Sequence, residues 1–135
     1  MEYALVTGAS KGIGKALAIE LAKKNCNLLL VARSESLLSK ISEQISKQYA
    51  VDVRFLAVDL TLPAVPGQIA EWCVKNGYGG KTLVNNAGFG LWGAFLNLSL
   101  SEQLNMMQLN MSSLVALTHH LIPLLQKNRP SHILN

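Results

Sequence analysis

The chain has 135 residues, half of them hydrophobic, which is enough for one domain with a buried core. Its net charge of +4 comes from Lys and Arg residues scattered along the sequence, so the basic runs typical of nucleic-acid binding are missing. No apolar stretch reaches the ~18 residues of a membrane span, and no secretory signal follows Met1. We therefore expect a cytoplasmic location, with no nucleic-acid and no membrane partner.

Cysteine and histidine usage argues against a metal site and against a disulfide framework. Cys26 and Cys73 are isolated in the sequence. His119, His120 and His132 lack Cys, Asp or Glu neighbours at the spacing that zinc requires. We therefore expect no metal and two reduced thiols.

The first third of the chain has the pattern of a strand–helix–strand unit. An apolar run predicts a strand at 3–6, and helical periodicity predicts a helix over 12–25. The wholly apolar run 27–32 predicts a second strand that is buried on both faces, as in a parallel sheet. The residues expected on the inward stripe of the helix are Ile13, Ala16, Leu17 and Leu21.

The rest of the chain continues the alternation of helices and strands. The predicted elements are a helix from the cap Ser34 to Tyr49, a strand at 51–58, a helix at 65–75, a strand at 81–85, a helical region from Ser101 and a fifth strand at 131–135. In the region from Ser101, apolar residues cover more than one helical face. The alternation predicts one α/β domain over residues 1–135, a doubly wound parallel sheet or Rossmann fold that binds its ligand at the carboxyl ends of the strands.

The turn after the first strand reads Thr7-Gly8-Ala9-Ser10-Lys11-Gly12-Ile13-Gly14 and favours phosphate binding. Backbone N–H groups and the positive end of the following helix converge there, which suits a pyrophosphate. The spacing Gly-x-x-x-Gly-x-Gly matches neither the usual dinucleotide fingerprint nor a Walker A loop. Gly8 to Gly12 also fit the nucleophile elbow Gly-x-Ser-x-Gly, so a serine hydrolase with Ser10, Asp59 and His119 or His132 stays open beside a nucleotide site.

Arg33 indicates which dinucleotide would bind. An acidic residue roughly 20 residues past the glycines would bind the ribose 2′-hydroxyl. This chain has Ala32-Arg33 there, so no carboxylate repels a 2′-phosphate, and Arg33 and Lys11 can hold one by charge-assisted hydrogen bonds. We therefore expect NADP (NADPH) in preference to NAD.

Four segments together resemble the short-chain dehydrogenase/reductase family. The glycine turn resembles its cofactor loop, and Asp59-Leu60 its adenine contact. Asn85-Asn86-Ala87-Gly88 resembles its motif after the fourth strand, and Asn110 matches its asparagine that holds a water in the proton relay. The resemblance implies hydride transfer between NADP(H) and a carbonyl or alcohol substrate, with Asn110 as a catalytic residue and Ser10 as a phosphate or ribose ligand. The implied cofactor-binding residues are Gly8, Ser10, Lys11, Gly12, Ile13, Gly14, Arg33, Asp59, Leu60, Asn86, Ala87 and Gly88.

The sequence departs from the family in its catalytic part. The family uses a Ser after the fifth strand and a Tyr-x-x-x-Lys pair whose Tyr is the general acid and base. The Tyr-x-x-x-Lys pair is absent, because Tyr3, Tyr49 and Tyr78 are followed four residues later by Thr, Val and Thr. The Ser is absent too, because the sequence stops just before the position where it would appear. We therefore expect the cofactor-binding, amino-terminal portion of a longer reductase, truncated after strand 5 and inactive by itself, with a non-catalytic nucleotide-binding module as the alternative.

The last helical region carries a further expectation about assembly. Without additional strands its apolar surface would stay uncovered, so we expect the chain to associate. For the intact protein we expect a homo-oligomer.

Overall fold

The computed structural model describes all residues 1–135. In chain order the elements are β1 (Glu2–Thr7), α1 (Gly12–Lys23), β2 (Asn27–Ala32), α2 (Glu35–Tyr49), β3 (Val53–Ala57), α3 (Val65–Lys75), β4 (Gly79–Val84), a 3-10 turn (Phe95–Asn97), α4 (Leu100–Met107), a π-helical segment (Gln108–Ser113), α5 (Leu114–Gln126) and β5 (His132–Leu134). The predicted alternation of strands and helices is confirmed.

The five strands form one parallel sheet in the order β3-β2-β1-β4-β5. The chain winds outward from β1 in one direction through β2 and β3, and in the other through β4 and β5. The winding reverses between β1 and β4, where open α/β sheets form their ligand crevice. The predicted fold class, a doubly wound parallel sheet, is therefore confirmed.

Alternating side chains of β2 belong to two cores, one on each face of the sheet. Leu28 and Leu30 pack with α1 and α2, whereas Leu29 and Val31 pack with α3 and α5. All four side chains are 1% exposed or less. A strand between two helical layers has no solvated face, which explains the unbroken apolar run in the sequence.

Helix α1 packs on the sheet through small residues. Its buried residues are Gly14, Ala18 and Ala22, whereas Ile13 is 73% exposed. Small residues at intervals of four bring the helix close to the strands, and a Cβ on Gly14 would overlap the carbonyl oxygen of Gly8. The predicted inward stripe is therefore wrong at Ile13 and Ala16, which are exposed, whereas Leu17 and Leu21 are partly buried against the core. Hydrophobic periodicity does not measure how closely a helix approaches its sheet.

Strand β4 begins at Gly79, two residues before the predicted start at 81. Gly79 and Gly80, predicted to close the preceding helix, pair with Glu2 and Tyr3 of β1. A Cβ on Gly80 would lie 3.3 Å from the side chain of Leu124, so glycine here lets α5 approach the strand. Other differences are the end of α1, two residues earlier than predicted, and the shorter β3 and β5.

The helical region predicted from Ser101 consists of α4, the π-helical segment and α5 in succession. Its sheet-facing residues Leu117, Leu121 and Leu125 are buried. A second row of apolar side chains in the same region is exposed, which confirms that its apolar residues cover more than one face. No helix of the molecule combines the length and hydropathy needed to cross a bilayer. The exposed apolar row of this helical region consists of Leu100, Leu104, Met107, Met111 and Val115.

Candidate functional site

A cleft opens at the carboxyl edge of the sheet, between the ends of β1 to β4 and the start of α4. Its volume is about 580 Å³, within the range of small-molecule sites. Gly12 and Gly14 belong to its glycine turn but do not line it, and the part that each predicted residue takes in cofactor binding stays a prediction. The other ten predicted cofactor residues do line the cleft: Gly8, Ser10, Lys11, Ile13, Arg33, Asp59, Leu60, Asn86, Ala87 and Gly88.

The glycines of the turn meet different steric conditions. Gly8 has a φ of +64°, and a Cβ there would lie 2.8 Å from Asn86 Nδ2. Gly12 has a φ of +56°, but nothing lies within 4 Å of its Cβ position. The backbone at Gly12 is therefore open to an approaching ligand, whereas Gly8 and Gly14 are required by the packing of the protein itself.

At the amino end of α1, no side chain caps the backbone N–H groups of the first turn. Lys11, the residue before the helix, makes no capping hydrogen bond, and the first turn contains no acidic residue. In α2 and α4, by contrast, the hydroxyls of Ser34 and Ser99 accept a hydrogen bond from a backbone N–H of the first turn. Free N–H groups and the positive end of the helix together favour an anion at the start of α1.

Thr7 and Asn86 join the ends of β1 and β4 beneath the cleft. The buried hydroxyl of Thr7 accepts hydrogen bonds from the backbone N–H groups of Asn86 and Ala87, both at 3.0 Å. Asn86 Nδ2 in turn donates to the carbonyl oxygens of Thr7 and Gly8, at 3.1 and 3.3 Å. Thr7 is the first residue of the predicted turn, but no role was predicted for its side chain. The sequence feature that could have identified this role is the hydroxyl of Thr7 directly after the apolar run 3–6.

Arg33 and Asp59 follow β2 and β3 and bring opposite charges to the cleft. The hydroxyl and the backbone N–H of Thr61 donate to Asp59 Oδ1 at 2.7 and 2.9 Å. These two hydrogen bonds, helped by the charge of Arg33, hold the pKa of the Asp59 carboxyl below its ordinary value. Asp59 is therefore an ionised acceptor, and the exposed Arg33 makes no salt bridge that would occupy its guanidinium group.

Asn110 lies in the π-helical segment and binds the backbone of Phe89 at the rim of the cleft. Its Oδ1 accepts from the N–H of Phe89 at 3.0 Å, and its Nδ2 donates to the carbonyl oxygen at 2.8 Å. A Cβ on Gly88 would lie 2.9 Å from Asn110 Oδ1, so a glycine at 88 makes room for this contact. Segments of π-helix are rare and are frequently found at functional sites. The catalytic role of Asn110 stays a prediction.

The structure gives no support to the nucleophile-elbow hypothesis for Ser10. Ser10 lines the cleft, but no histidine does. His120 lies in a groove between α3 and α5, the ring of His119 is 5.8 Å from that of His120, and His132 is on β5. A serine hydroxyl needs an adjacent base to become a nucleophile, and Ser10 has none.

The wall that α4 contributes to the cleft was not predicted. Glu102 and Asn105 of α4 line it together with Leu109 of the π-helical segment, at intervals of three and four residues that place them on one side of the continuous helical region. Glu102 is the only charged residue between positions 82 and 126. This isolated charge could have identified Glu102 as a candidate site residue from the sequence.

A family model described as short chain dehydrogenase matches residues 2–135. The chain is 34% identical over 138 residues to hydroxysteroid dehydrogenase-like protein 1 of Gallus gallus, a match that covers 98% of this chain and 40% of that protein. It is 37% identical over 134 residues to the very-long-chain 3-oxoacyl-CoA reductase of Eremothecium gossypii, which covers 93% of this chain and 36% of that protein.

The fold also matches solved structures. The L-sorbose reductase of Gluconobacter frateurii, solved in complex with NADPH and L-sorbose, aligns with a TM-score of 0.91 and 28% identity. This alignment covers 97% of the present chain and 50% of the reductase. The chain thus spans half the length of that reductase, and 40% or less of the two curated relatives above.

Proposed function

We propose that this chain, which belongs to the short-chain dehydrogenase/reductase family, is the NADP(H)-binding portion of an oxidoreductase acting on a carbonyl or alcohol substrate. The observation that carries the proposal is the convergence of the glycine turn, Arg33, Asp59 and Asn86 on one cleft. A pyrophosphate, a 2′-phosphate and an adenine ring would each find a suitable group there. The L-sorbose reductase, whose structure contains NADPH, supports the same choice of cofactor.

The pyrophosphate would bind at the amino end of α1. The open backbone at Gly12 admits a ligand, and the uncapped first turn supplies N–H donors. The turn keeps its shape through contacts of the protein itself, because Gly8 and Gly14 are packed against neighbouring backbone and against Asn86. Donors that are already in place lose little entropy when the ligand binds.

The 2′-phosphate would bind between Arg33 and Lys11. Both side chains are exposed and line the cleft, and neither makes a salt bridge. A guanidinium group can bind a phosphate through two parallel hydrogen bonds, and Lys11 adds a second positive charge. The 2′-hydroxyl of NAD would gain much less from these two cations.

The adenine ring would bind next to Asp59 and Leu60. The ionised Asp59 can accept a hydrogen bond from the exocyclic amino group, and buried Leu60 offers an apolar surface. The hydroxyl of Ser113 donates to the carbonyl oxygen of Leu60, which ties this segment to the end of the π-helical segment. The adenine site is therefore held by both β3 and the long helical region.

When bound, the nicotinamide would supply or accept the hydride. The residues of this chain would bind and orient the cofactor, and Asn110 would contribute to proton transfer. Asn110 can do so while it holds Phe89, because its amide has a second N–H hydrogen and its oxygen a second lone pair. These free positions are suited to holding one water.

Titration of NADPH and of NADH into the chain tests the cofactor assignment. We expect NADPH to bind at least ~10-fold more tightly, because hydrogen bonds to a charged group contribute about 1.5–3 kcal/mol. Equal affinities for NADPH and NADH would contradict the proposal that Arg33 binds the 2′-phosphate. Catalysis is tested with the protein extended by the sequence that follows Asn135 in its gene, by measuring NADPH oxidation with a panel of ketones and aldehydes. Cofactor binding without turnover would leave the nucleotide-binding module as the function.

We also propose that the intact protein forms a homo-oligomer through the exposed apolar row. Its members are 50–68% exposed, and Glu102 is the only charge between positions 82 and 126. A contiguous apolar surface of this kind is typical of an interface, and a two-fold axis would pair the row with itself. A cytoplasmic location also stays a proposal, based on the free thiols of Cys26 and Cys73.

A further inference from the structure

The cleft wall formed by α4 and the π-helical segment contains two polar side chains that have no partner within the protein. Glu102 and Asn105 line the cleft, and neither side chain makes a hydrogen bond or a salt bridge. Most of the other polar side chains between positions 99 and 113 are held by hydrogen bonds inside the chain. These are Ser99, Ser101, Gln103, Gln108, Asn110 and Ser113.

The start of α4 is held in place without the help of the Glu102 carboxylate. The hydroxyl of Ser99 accepts a hydrogen bond from the backbone N–H of Glu102 at 3.4 Å. Gln103 Nε2 donates to the carbonyl oxygens of Phe95 and Leu98 at 3.3 and 3.2 Å. The Glu102 side chain does not bond back to the N–H of Ser99, as it would in a complete capping box. The wall is therefore fixed by other contacts, and its two cleft-lining polar groups are available to a ligand.

Asn105 lies one helical turn from the apolar surface on which the adenine ring is proposed to bind. Leu109 is partly buried against the core cluster that contains Leu60, and both residues line the cleft. The hydrogen bond from the Ser113 hydroxyl to the carbonyl oxygen of Leu60 joins the helical region to the segment after β3. Asn105 precedes Leu109 by four residues, a rise of about 6 Å along a helix. Its amide is thus the polar group of this wall nearest to Leu60 and Leu109.

An asparagine amide is complementary to one edge of adenine. Its oxygen can accept a hydrogen bond from the exocyclic amino group while its nitrogen donates to the ring nitrogen N7. The amino group has two hydrogens, so Asp59 and Asn105 can each accept one. A purine with a carbonyl oxygen in place of the amino group presents two acceptors on this edge. The carboxylate of Asp59 and the amide oxygen of Asn105 would then both face an acceptor.

We propose that Asn105 is a specificity-determining residue that selects a cofactor whose base is adenine. The inference rests on the proposed function, because it gives Asn105 a partner only if a dinucleotide occupies the cleft. Glu102 adds a negative charge to the same wall, which favours the hydrogens of an amino group over a carbonyl oxygen. Asp59 and Leu60 bind the base, and Asn105 distinguishes one purine from another.

Fluorescence titration with two reduced cofactors tests this inference. The cofactors are NADPH and nicotinamide hypoxanthine dinucleotide phosphate, which carries a carbonyl oxygen in place of the amino group. We expect the parent chain to bind NADPH at least ~10-fold more tightly than the hypoxanthine cofactor. Asn105→Leu should reduce this preference at least ~5-fold by weakening the binding of NADPH alone. Asn97→Leu is the matched control, because Asn97 is exposed in the 3-10 turn and does not line the cleft, and it should keep the parent preference.

Asn105→Asp separates the acceptor from the donor of the amide. The carboxylate keeps an acceptor for the amino group, so this variant should retain the preference for adenine that Asn105→Leu loses. An unchanged preference in Asn105→Leu, an equal weakening of both cofactors, or the same loss of preference in Asn105→Asp would each overturn the inference. If the parent chain binds both cofactors equally well, the selection of adenine fails while the proposed NADP(H) binding stands. If it binds neither, the proposed function fails as well.

Discussion

The hydroxyl of Thr7 accepts a hydrogen bond from the backbone N–H of Asn86 at 3.0 Å, although 79 residues separate them in sequence. The contact joins the ends of β1 and β4, on either side of the point where the winding of the sheet reverses. The floor of the cleft is therefore fixed by hydrogen bonds within the protein, and a ligand would find it already formed.

Replacing Thr7 by valine should lower the free energy of unfolding by about 2–3 kcal/mol. Beside the buried Thr7 side chain, the backbone N–H of Ala87 would lose its acceptor, and that of Asn86 would keep only the carbonyl oxygen of Val84. Urea unfolding measures the change. Thr82→Val in β4 is the matched control, because Thr82 takes no part in this network, and we expect it to stay within about 0.5 kcal/mol of the parent. Equal losses in the two variants would show that the hydroxyl of Thr7 has no special role.

Alanine at Gly12 should abolish cofactor binding while the chain remains folded. The new Cβ meets no protein atom within 4 Å but occupies the open backbone surface, and the positive φ costs about 1–2 kcal/mol. Gly77→Ala is the control, because Gly77 also has a positive φ, +67°, with open space around it, but follows α3 and is not part of the glycine turn. Calorimetric titration with NADPH should show lost affinity for Gly12→Ala only. If Gly12→Ala binds NADPH as tightly as the parent chain does, the pyrophosphate does not bind at Gly12.

Removing the side chain of Arg33 should weaken NADPH binding about 10- to 100-fold and leave NADH binding nearly unchanged, because only NADPH carries the 2′-phosphate. Lys40→Ala removes an equal charge from the exposed side of α2 and serves as the control. Fluorescence titration with both cofactors gives the ratio of affinities. A parallel loss for NADPH and NADH in Arg33→Ala would assign Arg33 a structural role instead.

The stability that Asp59 contributes should disappear in acid. Its pKa in the folded chain lies below that of an unfolded Asp, about 3.9, because Thr61 hydrogen bonds and the Arg33 charge favour the ionised form. This contribution is present above the unfolded pKa and is lost as the pH falls through the folded pKa. The difference in unfolding free energy between the parent and Asp59→Asn should therefore shrink from pH 6 to pH 3 in urea titrations. A difference that stays constant or widens would contradict the depressed pKa.

A charge in the exposed apolar row should shift the chain toward the monomer. Met107→Lys puts an ammonium group in the middle of the row, where a paired copy would have to bury it. Gln48→Lys adds the same charge to the exposed side of α2 and should leave the assembly unchanged. Sedimentation velocity over a range of concentrations measures the distribution. If the parent chain is already a monomer at every concentration, the row is not an interface between copies.

The order of the elements and the class of the sheet followed from the sequence because they depend on local patterns. The run 27–32 is unbroken by polar residues since β2 is covered on both faces, and the glycine turn needs residues without a Cβ at fixed positions. Arg33, Asp59 and Asn86 were placed at one edge by topology alone, since the carboxyl ends of parallel strands meet there.

The sequence by itself determined the alternation of strands and helices and the sheet edge at which the cleft lies, because spacing and composition act over a few neighbouring positions. The resemblance of its motifs to a known family implied ten of the residues that line the cleft. Only the tertiary structure decided that Ile13 is exposed, that Gly79 and Gly80 belong to a strand and that Thr7 binds partners 79 and 80 residues away. These features depend on how closely distant segments approach one another. That distance is fixed by packing across the sheet, which no local pattern records.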